Sequence, residues 1–140
     1  YIQKADIMPS VYSKKICPVC ETEYRGRGKR CSQKCVNDER RKEKIQLWLE
    51  GKHNGLRGRV QTAAWIKVWL RETKGDKCEK CGWNEVHPVT GNVPVELNHI
   101  DGNYLNNRPE NLELLCPNCH SLTETYRSLN TGNGRPGREH

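Results

Sequence analysis

Eight cysteines fall into two groups of four, and no other feature limits the possible folds of this 140-residue chain so tightly. The first group is Cys17-x2-Cys20-x10-Cys31-x3-Cys35; the second is Cys78-x2-Cys81-x34-Cys116-x2-Cys119. A Cys-x2-Cys knuckle presents two thiolates to one tetrahedral ion, and a second pair closes a structural zinc site. Disulfides are the competing use of eight thiols. They need an oxidising compartment, and the opening YIQKADIMPS lacks the apolar stretch of a secretory signal. A redox CxxC is the other alternative; two such pairs in one short polar region argue against it. The reading is therefore two structural zinc ions in a chain with reduced, cytoplasmic thiols.

The composition explains why such staples are needed. Hydrophobic residues make up 34% of the chain, charged residues 29%, and there is no Phe. A sequence this polar cannot build a large apolar core. No apolar run approaches membrane length. The formal net charge is +7. With eight zinc-bound thiolates and two Zn²⁺ ions the net charge falls to about +3.

The basic residues are placed unevenly. Residues 1–60 hold 15 Lys/Arg against 7 Asp/Glu, while residues 61–140 hold 9 against 10. The N-terminal half is thus the natural phosphate-facing region. Arg25, Arg27, Lys29, Arg30, Arg40, Arg41, Arg57 and Arg59 are its candidate nucleic-acid contacts. A merely solvated charged face is the plainer alternative.

Four segments are discernible. Residues 1–35 form a four-cysteine zinc module whose spacer suits a small hairpin or loop. Residues 36–74 read as a helical basic linker region. There, Ile45, Trp48 and Leu49 make a narrow apolar stripe on a first helix ending at Gly51. A Gly-rich link over 51–59 reads either as a strap along phosphates or as a simple linker. A second helix over about 61–72 places Trp65, Ile66, Trp69 and Leu70 at helical spacing, as core residues. Residues 75–129 carry strand alternation at Val93, Val95 and Leu97, a turn at Asp101-Gly102-Asn103, and a second strand over 112–115. A short helix is expected over 120–129. Residues 130–140 read as a flexible tail with two arginines within reach of nucleic acid.

The third segment carries a more specific pattern: N98-H99-I-D-G, then N-N-R-P-E-N111-L, then L-L-C-P-N-C119-H120. This resembles the HNH endonuclease family, most of all small zinc-stapled phage-type HNH and homing endonucleases, over residues of about 74–130. The N-terminal part resembles, less specifically, accessory DNA-binding segments of such proteins. The resemblance implies a small metal-stabilised α+β protein with a ββα-metal (HNH, His-Me finger) catalytic domain, acting on DNA. His99 would be the general base, His120 and Asn98 ligands of a catalytic divalent ion, and Asn111 the residue that holds the loop and orients the base by a hydrogen bond. The products would carry 5′-phosphate and 3′-hydroxyl ends.

One residue departs from the family pattern. Asn98 stands where an Asp ligand is common, and an amide oxygen binds Mg²⁺ more weakly than a carboxylate. A softer ion such as Mn²⁺, Ni²⁺ or Zn²⁺ is then an option beside Mg²⁺. Asp101 reads as a turn residue rather than a ligand. Adjacent strand residues point to opposite faces, so Asn98 and His99 can share a site only if the strand twists or ends there. Arg108 and Arg127 are further phosphate candidates, and His53, His87 and His140 read as surface residues. One constellation implies a nicking monomer, with a dimer on DNA as the alternative. The setting would be the host cytoplasm if a phage encodes the chain. A non-catalytic, zinc-stabilised nucleic-acid-binding protein is the competing function.

Overall fold

The structure, a computed structural model, describes residues 11–133. The flexible-tail reading of 130–140, with Arg135, Arg138 and His140, falls outside the described residues from 134 onward. The chain divides into two compact units, one ending at Glu43 and the other starting at Lys44.

In the first unit, β1 (Lys14–Ile16) pairs antiparallel with β2 (Glu23–Arg25). The turn between them is the Cys17–Cys20 knuckle, closed by Cys17 N–H to the Thr22 carbonyl (3.0 Å) and Glu21 N–H to the Cys17 carbonyl (2.8 Å). Helix α1 (Gln33–Leu49) follows. Ser32 starts it, its hydroxyl accepting the Cys35 N–H at 3.3 Å, which satisfies one of the free amides of the first turn. That cap also carries Cys35 back toward Cys31.

The second unit is organised around tryptophan. Trp48, on the last turn of α1, is fully buried and meets Trp65 and Trp69 edge-on at 5.6 and 5.1 Å. Trp65 and Trp69 flank Ile66 and Leu70, which are fully buried on α2 (Ala64–Lys74). Val93, Val95, Leu112 and Leu114 complete this core. Burying each such aliphatic side chain stabilises the fold by about 1.5–3 kcal/mol. Helix α2 stops at Gly75, whose φ of +91° suits glycine.

Four expectations shift here. The 51–59 link is a built hairpin: β3 (Leu56–Arg57) pairs with β4 (Gln61–Thr62). The second helix therefore begins at Ala64 rather than 61, because Gln61 and Thr62 are used as strand and Ala63 N–H bonds the Gly55 carbonyl at 2.8 Å. The strand expected over 93–100 is reduced to β5 (Glu96–His99), since Pro94 has no N–H to give a ladder. The helix expected over 120–129 is α3 (Pro117–Ser121), followed by turns and a 3₁₀ turn at Arg127–Leu129. Cys116 sets the earlier start, its sulfur accepting the Cys119 N–H at 3.4 Å.

Gly55 shows how closely the second unit is packed. Its φ is +73°, and a Cβ there would lie 2.7 Å from Ile66 Cδ1 and 2.8 Å from Asn107 Cβ. Gly55→Ala is expected to destabilise this unit by roughly 2–4 kcal/mol, from overpacking and left-handed strain together. A urea melt followed by tryptophan emission measures it; an unchanged midpoint would show that the site has slack.

Among the described residues, no helix is long and apolar enough to cross a membrane.

Candidate active site

Strands β5 and β6 (Leu112–Leu115) are antiparallel, with Asn98 opposite Glu113 and His99 opposite Leu112. The leucines of β6 lock this register, because Leu112 and Leu114 are buried in the tryptophan core and a one-residue slip would turn them out. The other edge of β6 is held by the knuckle: Glu79 N–H bonds the Leu114 carbonyl at 2.8 Å, and the Glu79 carboxylate takes the Leu114 N–H. The cysteine site and the hairpin are therefore one construction.

The four sulfurs of Cys78, Cys81, Cys116 and Cys119 lie within 4.8 Å of one another, as do those of Cys17, Cys20, Cys31 and Cys35. Sulfur–sulfur separations are 3.4 Å for Cys20–Cys31 and Cys31–Cys35, and 3.8 Å for Cys81–Cys116. A tetrahedral Zn–S₄ site, with bonds near 2.3 Å, sets sulfurs about 3.8 Å apart. Both clusters thus fit a structural ion. Their proton affinities are pushed apart. Burial tends to raise Cys78, but amides of Cys116, Cys81 and Lys80 bring it down to about 6. Burial and the neighbouring thiols drive Cys119 up to about 12. Cys17 is brought down to about 6 in the same way as Cys78, while the neighbouring thiols of Cys20 and Cys35, more than burial, push Cys31 up to about 12. Four thiolates cannot coexist at this spacing without a cation between them.

Beside the hairpin a cleft of about 620 Å³ opens, lined by Thr62, Asn98, His99, Tyr104, His120 and Arg127 among others. Asn98 and His99 both reach it because β5 ends at His99 and the chain turns at Ile100. His120 stands on α3, where the position of Cys119 in the cysteine cluster fixes it. Its Nδ1 is hydrogen-bonded to the Glu96 carboxylate, which leaves Nε2 available, and Tyr126 meets the ring edge-on at 5.4 Å. A carboxylate on the far nitrogen is the usual companion of a metal-binding His.

Residues 78–125 match the family model described as HNH endonuclease. This segment carries the HNH endonuclease pattern. A curated relative, H-N-H endonuclease F-TflIV of Escherichia phage T5, is 49% identical over 66 residues, which make up 47% of this chain and 28% of that protein. The chain therefore spans well under half the length of the relative it matches. No solved structure matches significantly.

Within the HNH segment, Asn98 is buried and its Nδ2 donates to Glu113 Oε1 at 2.8 Å. The partner of His99 differs from the expected one. Its Nε2 lies 2.8 Å from Asn107 Oδ1, while Asn111 is engaged elsewhere. Asn111 donates from Nδ2 to Asp101 Oδ1 and to the Asn106 carbonyl, both at 2.8 Å, and accepts the Asp101 N–H at 3.1 Å. It is the clasp of the 101–106 loop, and Asp101 is that loop's anchor. Partial desolvation works to raise the Asp101 carboxyl. Hydrogen bonds from Asn106, the Asn103 amide and Asn111, with the charge of His99, hold it below its ordinary value.

Arg108, a phosphate candidate by sequence, is turned inward: Nη1 donates to the Trp48 carbonyl at 2.7 Å and Nη2 to that of Leu49 at 3.4 Å. It caps the C-terminus of α1. Arg127 faces the cleft, its guanidinium over the Tyr126 ring at 5.0 Å.

The basic candidates divide in the same way. Arg25, Lys29, Arg40, Arg57 and Arg59 are exposed, and Arg41 is half-buried on α1. Arg30 is held by both oxygens of Glu39, which raises its already high pKa further. Arg27 donates to the Tyr12 hydroxyl.

Sequence reading missed Glu96, Glu113, Asn107 and Thr62. Strand alternation contains a signal for the first, since Glu96 and Asn98 share a face. Nothing in the pattern marks Thr62, which comes from outside the matched segment.

Proposed function

We propose that this chain is a metal-dependent DNA endonuclease that nicks one strand, hydrolysing a phosphodiester to 5′-phosphate and 3′-hydroxyl ends. The observation that carries this reading is that Asn98, His99 and His120 open onto one cleft within an HNH segment. Of the two histidines, His99 is the one whose ring meets a buried amide, that of Asn107. It takes the proton from an attacking water; the water oxygen bonds to phosphorus, and the bond from phosphorus to the 3′ oxygen breaks. The 3′ oxygen then takes a proton from solvent.

His120 Nε2 and the Asn98 amide oxygen would hold the catalytic divalent ion. When bound, such an ion stabilises charge on the scissile phosphate and the leaving oxygen. Water and phosphate oxygens would fill its remaining positions. The neutral residue at 98 has a reason in this reading. Its amide donates to Glu113 and still offers an oxygen to the cleft, which a carboxylate cannot do. The cysteine sites, closed by four thiolates, would hold structural zinc and take no part in the chemistry. The exposed N-terminal arginines and lysines would supply non-specific DNA affinity through counterion release.

The test is supercoiled plasmid with Mg²⁺, Mn²⁺ or Ni²⁺, with and without EDTA. Open-circular product should accumulate first, because one site cuts one strand. Cleavage that survives EDTA would defeat the metal-dependent reading, and linear product appearing first at substoichiometric protein would point to a dimer.

Asn98→Asp sharpens the ligand assignment. A carboxylate should raise the Mg²⁺-supported rate relative to the Mn²⁺-supported one. Beside Glu113 it should also lower the melting temperature in the absence of the catalytic ion, by like-charge repulsion. An unchanged metal preference would remove Asn98 from the ion's shell.

A further inference from the structure

Asn107 is 3% exposed, and every polar atom of its side chain has a partner. Its Nδ2 faces two carbonyls, of Tyr104 at 3.3 Å and Asn54 at 3.4 Å. Carbonyls only accept, so the amide nitrogen is fixed on that side. The oxygen then faces the Thr62 hydroxyl at 2.9 Å and His99 Nε2 at 2.8 Å. An amide oxygen only accepts, so both of these groups must donate to it. The backbone of Asn107 is gripped too: Trp48 Nε1 donates to its carbonyl at 2.6 Å. Trp48, Asn54 and Thr62 all precede residue 78, where the HNH match begins.

We propose that Asn107 is the positioning residue of His99, and that Trp48, Asn54 and Thr62 of the preceding segment complete the active site by holding it. The consequence for chemistry is a fixed imidazole. The proton resides on Nε2, where Asn107 receives it, and Nδ1 is left as the lone pair that faces the water. This rests on His99 as the base, as proposed above. The segment before residue 78 is then part of the catalytic apparatus rather than a linker to it.

Long-range ¹H–¹⁵N correlation of the ring nitrogens, in the full chain with its cysteine-bound metal, tests this directly. His99 is assigned by loss of its signals in His99→Ala. In the wild type the neutral ring should carry its proton on Nε2, and that proton should exchange slowly with solvent. In Asn107→Ala the slow exchange should be lost. The kcat on plasmid should fall at least about tenfold with KM unchanged, short of the about 10²–10⁴-fold loss of the base itself. Asn107→Asp keeps an acceptor in place and should restore the protected Nε2 proton.

A wild-type His99 protonated on Nδ1 would overturn the proposal without any variant. So would full kcat in Asn107→Ala. The underlying reading fails separately, if His99→Ala still cleaves.

Discussion

Stripping the metal from Cys78, Cys81, Cys116 and Cys119 should unfold the second unit. Beyond the tryptophan core, the apolar support of the hairpin's far end is a small cluster: Cys78, Leu115, Cys116 and Cys119, with Trp83 against it. Three of its four buried members are cysteines of the proposed metal site themselves. Structural zinc contributes about 10–16 kcal/mol in small domains, which matches or exceeds the roughly 5–15 kcal/mol of total stability a domain retains. All four tryptophans lie between residues 48 and 83, so their emission reports this unit alone. Chelation should red-shift it together with loss of one metal equivalent. The ion at Cys17, Cys20, Cys31 and Cys35 should leave without a tryptophan signal. Fewer than two zinc ions per chain by elemental analysis, or unchanged emission after full chelation, would contradict the proposed structural role.

His99→Ala should lower the cleavage rate by about 10²–10⁴-fold while the fold and DNA affinity persist. His99 is half-buried at the end of β5, and the aliphatic side chains of its strand pair do not depend on its ring. His120→Ala should also lose cleavage, by a different route. It removes the proposed ion's nitrogen ligand and leaves Glu96 without its partner. Raising the divalent-ion concentration should restore part of the His120→Ala activity and none of the His99→Ala activity. Equal rescue of both variants would dissolve the distinction between base and ligand; wild-type cleavage by His99→Ala would place the base elsewhere.

Much of the molecule was legible from local pattern. The cysteine spacings placed both clusters because a knuckle is a local structure with local rules. The i, i+4 pair Ile66 and Leu70 and the alternation in 112–115 identified core faces for the same reason. What escaped was set at long range. The 51–62 stretch reads as a polar, Gly-rich link, yet it folds as a hairpin because Gly55 allows Ile66, Asn107 and Trp48 to converge on it. The start of α3 moved to Pro117 because a cysteine sulfur acts as its cap, a role outside the usual Ser, Thr, Asp and Asn. The hydrogen-bond partner of His99 was beyond reach of spacing. Asn107 and Asn111 both lie in the loop after it, and only the closed geometry shows that one holds the ring and the other the loop.

The clasp at the end of α1 bears on how such chains can be recombined. Trp48 donates to the Asn107 carbonyl while its own carbonyl receives Arg108, so two consecutive loop residues are tied to one helical residue about 60 positions away. A crossover placed just before the HNH pattern, near residue 75, would hand the recipient a loop whose grips remain with the donor. A crossover near residue 43, where the two compact units part, would transfer the clasp intact. Exchange of N-terminal modules between related chains should therefore leave its seams upstream of the tryptophans, and chimaeras built at that seam should keep the proposed base in its setting.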